Sequence, residues 1–244
     1  MSKEMSMSNL ILPPYAACVF VDDTGHEHLA GTSFYGLGAC AVLGCEYDRL
    51  IRLPWLHVRN MINGDPTVPL HASDVTGKAT PEQLNHIARF FREQPFGRLG
   101  AAGTNTTILP DGEPLMRFVV DILKPRIVEV LKWMPFTSIV IIFEDNPRAN
   151  RLIEKYFVDV HFQVDGKDIP AEFYFMPKSS GNPALEVADF IANAIGNQAR
   201  FKQVDKMPGF RKDFQAIFHD IDRRLTSFMA IEKVEITASQ GVPA

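Results

Sequence analysis

Cysteine is scarce in this chain. Its 244 residues include three, Cys18, Cys40 and Cys45, an odd number without zinc spacing, so neither a dense disulfide framework nor a zinc finger is expected. Free thiols in a reducing compartment are the expectation. Positive charge is also short: 25 Lys and Arg against 29 Asp and Glu leave a net charge of -4. That gives no support for a broadly nucleic-acid-binding surface, although a basic groove can sit on an acidic body. No apolar run reaches the length of a membrane span, and residues 1–9 lack the basic-then-apolar order of a signal peptide. The expected location is cytoplasmic, with no membrane partner. There is no P-loop, no Gly-x-Ser-x-Gly elbow and no His-Glu-x-x-His. Gly36-Leu37-Gly38 lacks the third glycine of a dinucleotide fingerprint.

What is present is ordinary in amount and specific in order. Apolar residues make up 46% and charged residues 22%, as in a globular protein with ample material for a core. Patterning predicts a strand over Ala16–Val21, a turn at Asp23-Thr24-Gly25, and a second strand over Thr32–Leu43 hairpinned to the first. A helix follows over Glu46–Met61, started or kinked by Pro54, then a short extended piece, Val68–Val75. Thr80-Pro81-Glu82-Gln83 reads as a capping box opening a helix to about Glu93. Leu99–Leu109 is β-rich in its second half. Glu113–Trp133 is helical with a kink at Pro125. Thr137–Phe143 is an unbroken β-branched run, as a central parallel strand buried on both faces requires. Pro147 opens a helix to about Phe157, a hairpin turns at Asp165-Gly166, and Asn182-Pro183 caps a helix to about Arg200. A further helix near Phe210–Leu225 and a strand near Ala230–Ile236 close the list. The sum is one α/β domain over residues 1–244: a mixed β-sheet flanked by α-helices, with helical insertions, a core of about 16–200 and a C-terminal helical extension.

Three acidic places share one design. Asp22 and Asp23 end the first strand, Glu144 and Asp145 end the buried one, and Glu186 and Asp189 lie on one face of the Ala184–Arg200 helix. Hard divalent cations want oxygen ligands held by rigid elements, and converging strand ends with a helix supply them. Such a cluster suits phosphodiester hydrolysis assisted by Mg²⁺ or Mn²⁺. Each acid has a plainer role beside the chemical one. Asp23 is a turn residue before it is a ligand. Asp145 or Asn146 ahead of Pro147 is a good N-cap, so one of Glu144 and Asp145 can be the ligand and the other the cap. Glu186, in a first turn, complements the helix dipole. His71 and Asp74 are either loop residues or neighbours of the site that position a water or a phosphate. Lys178, in Lys178-Ser179-Ser180-Gly181 before the acid-bearing helix, is placed to meet a phosphate, or it belongs to an ordinary polar loop.

Four pieces together resemble the DUF3800 proteins: Val19-Phe20-Val21-Asp22-Asp23-Thr24-Gly25, Leu70-His71-Ala72-Ser73-Asp74, Ile141-Ile142-Phe143-Glu144-Asp145 and Ala184-Leu185-Glu186-Val187-Ala188-Asp189-Phe190-Ile191-Ala192. The likeness spans about residues 16–200. It implies a ribonuclease H-like fold in which acids on the first strand, a later parallel strand and a C-terminal helix bind divalent metal. Asp22, Asp189 and one of Glu144 and Asp145 carry over on that basis. Asp23 stands where the family has Glu, and Glu186 where it has Gln, so Glu186 either joins the site or repels a substrate phosphate.

The expectation is therefore a Mg²⁺- or Mn²⁺-dependent nuclease acting on nucleic acid. Asp22, Glu144, Asp145 and Asp189 are its candidate metal and catalytic residues and His71 a further catalytic one. Asp23, Asp74, Lys178 and Glu186 are accessory. The rival is a catalytically inactive binding or assembly module of the same fold.

Overall fold

The chain is described here from a computed structural model, in which residues 3–4, 11–25, 34–75, 78–104, 113–157, 161–204 and 227–228 are described. Five long strands form the body of the sheet: β2 (Ala16–Thr24), β3 (Phe34–Leu43), β4 (Gly97–Thr104), β5 (Ser138–Glu144) and β8 (Ala171–Met176). Two-residue strands, β1 (Lys3–Glu4) and β9 (Ser227–Phe228), extend its edges, giving the order β1-β8-β5-β2-β3-β4-β9. β6 (Phe162–Val164) and β7 (Lys167–Ile169) form a separate hairpin. β3 runs antiparallel to both its neighbours, whereas β2, β5 and β8 are mutually parallel. This is the mixed sheet flanked by helices that the sequence led us to expect. β5 is central and buried from Ile139 to Phe143, so its unbroken apolar run follows from having helices on both faces.

Helix α6 (Pro183–Val204) covers one face with α1 (Leu53–Asn63) and α3 (Pro81–Glu93). Helices α4 (Glu113–Leu131) and α5 (Pro147–Phe157) cover the other. The seat of α6 depends on missing side chains in the sheet. A Cβ on Gly38 would lie 2.2 Å from the Ala192 backbone nitrogen, and one on Gly100 would lie 1.8 Å from Ile195 Cδ1. Those two glycines let the helix axis approach the sheet closely, which brings the middle of α6 over the end of β2.

The structure departs from the sequence reading in four places. The 46–61 helix is segmented: a π-turn at Asp48–Arg52 leads into α1, which has Pro54 in its first turn, where the missing N–H costs nothing. Residues 72–75 are not extended but form a short helix, α2 (Ala72–Val75), whose Asp74 and Val75 amides donate to the His71 carbonyl. The strand placed at 99–109 begins earlier, as β4 (Gly97–Thr104), and its Gly and Ala residues leave room for α6 and α4. Residues 105–112, with Thr106, Thr107 and Ile108, lie outside the described residues. Helix α4 runs on through Pro125. The capping box at Thr80 and Gln83 is formed in both directions. The helix placed at 210–225 and the strand placed at 230–236 lie outside the described residues.

Candidate metal and catalytic site

Alternation along β2 sends Cys18 and Phe20 to the α6 face and Val19 and Val21 to the α4 face. Asp22 follows the first pair and Asp23 the second. In β5 the same alternation sends Val140 and Ile142 towards α6, and Glu144 with them. The parallel register pairs Val21 with Phe143, so Asp22 and Glu144 come one step later at the same level of the sheet. Their carboxyls are near enough to act on each other electrostatically. Asp189, one turn and a half into α6, faces the same point from above. Asp22 is 4% exposed.

Asp22 is buried while Glu144 and Asp189 are part-exposed, and three carboxyls gathered there resist ionising together. Burial raises Asp22 well above the usual carboxylate range, and the charges of Asp189, Glu144 and Asp23 push it the same way. Burial also raises Glu144 and Asp189, against the pull of Lys178 on both. The Lys178 Nζ lies 3.7 Å from Glu144 Oε2. Burial alone would lower this ammonium, but Glu144, Asp189, Asp22 and Asp23 outweigh it and hold it above its ordinary value. The strand ends and α6 thus carry more negative charge than their one lysine balances, and all of it sits on oxygen. That is the donor chemistry of a hard divalent cation. As the side chains stand, no group of three His, Cys, Asp or Glu among the described residues is drawn close enough to hold one ion. Holding an ion there would require the side chains to turn further inward.

The other candidates sort by contact. Asp145 turns away: its N–H donates to the Met176 carbonyl, and its carboxylate accepts from Asn150 Nδ2 at the start of α5. Asp145 thus braces the start of α5 through the Asn150 side chain, and Glu144 is the inward member of the pair. Asp23 lies on the opposite face of β2, where it accepts from Asn146 Nδ2 at 3.4 Å. The buried Tyr35 hydroxyl lies near it without a hydrogen bond of ordinary geometry. Asp74 is exposed, with its carboxylate 3.9 Å from Lys78 Nζ.

Glu186 neither joins the carboxylate cluster nor presents a bare charge to a substrate. It is buried and receives four hydrogen bonds: Arg59 Nη2 at 2.6 Å and Nε at 3.0 Å, Trp55 Nε1 at 2.7 Å, and the Leu70 amide at 3.1 Å. Burial raises its pKa and Arg59 opposes the rise. Arg59 and Trp55 are the residues that sequence reasoning missed. Their signal was spacing: four apart, on the face of α1 that carries Val58. Three residues on, Asp189 Oδ2 accepts the Ala72 amide at 2.9 Å. One helix face therefore grips the chain on both sides of His71, whose Nδ1 lies 3.9 Å from Asp189 Oδ2. At the start of α6, Asn182 Oδ1 accepts from the Ala184 and Leu185 amides, at 2.9 and 3.3 Å. Those donors are already used, so of the phosphate features read in Lys178–Gly181 the lysine is the one that remains.

No family model and no curated protein sequence matches this chain. Solved structures it is similar to include Bst-RNase HIII in complex with Mn²⁺, at a TM-score of 0.43 and 12% identity over 82% of this chain and 58% of that one. RNase HII of Archaeoglobus fulgidus, solved in its complex with PCNA, gives 0.37 and 13% over 92% of this chain and 99% of that one. Ribonuclease H2 of Pyrococcus horikoshii OT3 gives 0.34 and 11% over 85% and 99%. The chain thus spans 58% of the length of the first of these. No helix among the described residues is long and apolar enough to cross a membrane.

Proposed function

We propose that this chain is a divalent-metal-dependent nuclease of the DUF3800 type. The observation that carries the reading is the placement of Asp22, Glu144 and Asp189 at one level on one side of the sheet, from two parallel strands and one helix, with burial and mutual repulsion raising all three. Asp22, Glu144 and Asp189 would hold Mg²⁺ or Mn²⁺, and such an ion would supply a water of lowered pKa and a Lewis acid for the phosphoryl oxygens. The chain's own groups do the rest. Lys178 draws a phosphate to the carboxylates that would otherwise repel it. The His71 imidazole, fixed beside Asp189 by the two flanking amides, is placed to give a proton to the leaving oxygen. Glu186 and Arg59 hold the loop that carries His71.

One observation favours the inactive module instead: among the described residues no three ligating groups are gathered closely enough for an ion as they stand. The discriminating assay offers single-stranded DNA, duplex DNA, RNA and RNA–DNA hybrid to wild type and to Asp22→Asn, with and without Mn²⁺. The nuclease reading expects cleavage that needs Mn²⁺ and falls about 10²-fold or more in the variant. Equal cleavage by both proteins would mark a contaminant, and cleavage by neither would leave the inactive module standing.

A further inference from the structure

Behind His71 lies a cavity of about 420 Å³. It opens between the end of α1, the 66–71 segment and the start of α3. Its lining joins an aliphatic part, chiefly Ile62, Leu70 and Val75, to a polar part of Asn63, His71, Asp74 and Lys78. Asn63 donates Nδ2 to the Val68 carbonyl at 3.2 Å and so keeps Oδ1 as an acceptor. Gln83, on the same wall, is held by Thr80 and Ile62 and is part of the frame. Lys78 is strongly exposed and flexible in reach, with only a 3.9 Å contact to Asp74.

His71 belongs to this cavity and also lies beside Asp189. Whatever fills the cavity therefore sits one side chain from the carboxylate cluster. The volume lies in the range of small-ligand sites, and an aliphatic surface beside separated polar groups suits a heteroaromatic ring. A base inside a duplex is stacked on both faces and paired along its edge, so it cannot enter a recess walled by α1 and α3 without being flipped out. An unpaired base can.

We propose that this cavity receives one unpaired nucleobase next to the phosphate held at the carboxylate cluster, so that the preferred ligand is single-stranded nucleic acid or a frayed strand end. Asn63 Oδ1 accepts from an exocyclic amine, Ile62 and Val75 bracket the ring, and Lys78 meets the backbone phosphate on the far side. The inference rests on the nuclease reading for its substrate class, but its test does not need catalysis.

The test is binding in Ca²⁺, which keeps a divalent ion at the carboxylates, read by fluorescence of a 12-nucleotide single strand carrying one 2-aminopurine and of the same strand in a duplex. The single strand is expected to bind about tenfold or more tighter than the duplex, since one base contact is worth about that much. Filling the cavity by Val68→Trp or by Ala79→Phe is expected to cancel that advantage, with thermal unfolding checked for each. Val68 is already 44% exposed, which keeps one variant foldable if the other is not. Equal binding of both strands, no binding of either, or an unchanged preference in a folded filling variant overturns the proposal. Preference lost on filling, in a protein that cleaves nothing, supports the base subsite while overturning the nuclease reading alone.

Discussion

Ala72 donates its backbone N–H to Asp189 Oδ2 at 2.9 Å. The bond joins a loop to the helix face that bears the candidate ligand, and its counterpart from Leu70 to Glu186 joins the same loop one residue before His71. The consequence is that a residue outside the cluster, Glu186, decides where the imidazole stands.

Glu186→Ala is expected to cost about 3–5 kcal/mol, because it leaves Arg59 buried without its partner. Urea unfolding measures this. Replacing both partners, as Arg59→Met with Glu186→Leu, should return most of the stability while leaving His71 loosely held. A stable double variant with unimpaired cleavage would contradict the positioning role.

Glu144→Gln and Asp145→Asn should part company. The first removes a carboxylate from the cluster and is expected to lower cleavage about 10²-fold or more. The second replaces an acceptor already occupied by Asn150, and activity should stay close to wild type. Initial rates under saturating Mn²⁺ decide it, and the reverse order would exchange the two roles.

Stability of the ion-free protein is expected to fall as pH rises above the ordinary carboxylate range. Asp22, Glu144 and Asp189 all have folded pKa values above their unfolded ones. In the window between, the folded state binds more protons, so the derivative of unfolding free energy with pH is negative. Their contribution is complete below the unfolded values and is lost as pH passes the folded ones. Asp22→Asn should flatten this slope. Added Mn²⁺ should stabilise the protein more at pH 8 than at pH 6, because protons compete with the ion. Thermal unfolding across that range, with and without Mn²⁺, checks both signs, and a slope unchanged by the variant would count against the shared burial of the three acids.

His71→Ala is expected to reduce kcat about 10²-fold with little change in thermal stability, since the grip on the loop uses backbone amides of Leu70 and Ala72 rather than the imidazole. A variant with full kcat would remove the imidazole from the reaction.

The central strands, the capping box and the acid-bearing helix were legible because each carries a local signal. Thr137–Phe143 is β-branched throughout, Thr80 and Gln83 are three apart, and Glu186 and Asp189 share a helical face. The choice between Glu144 and Asp145 was not legible, since it turns on strand parity and on Asn150, five residues away. Glu186 does stand in the first turn of its helix, but its partners Arg59 and Trp55 were not legible because they are more than 120 residues distant. Gly38 and Gly100 are the floor on which α6 rests, a role that only the position of the helix reveals.

The most direct measurement is anomalous diffraction from a crystal of the protein soaked in Mn²⁺. The account predicts a peak among Asp22, Glu144 and Asp189, with their oxygens turned in to about 2.1–2.3 Å of it and Asp145 still on Asn150. A peak elsewhere, or none in a crystal soaked at millimolar Mn²⁺, would contradict the metal-centre reading.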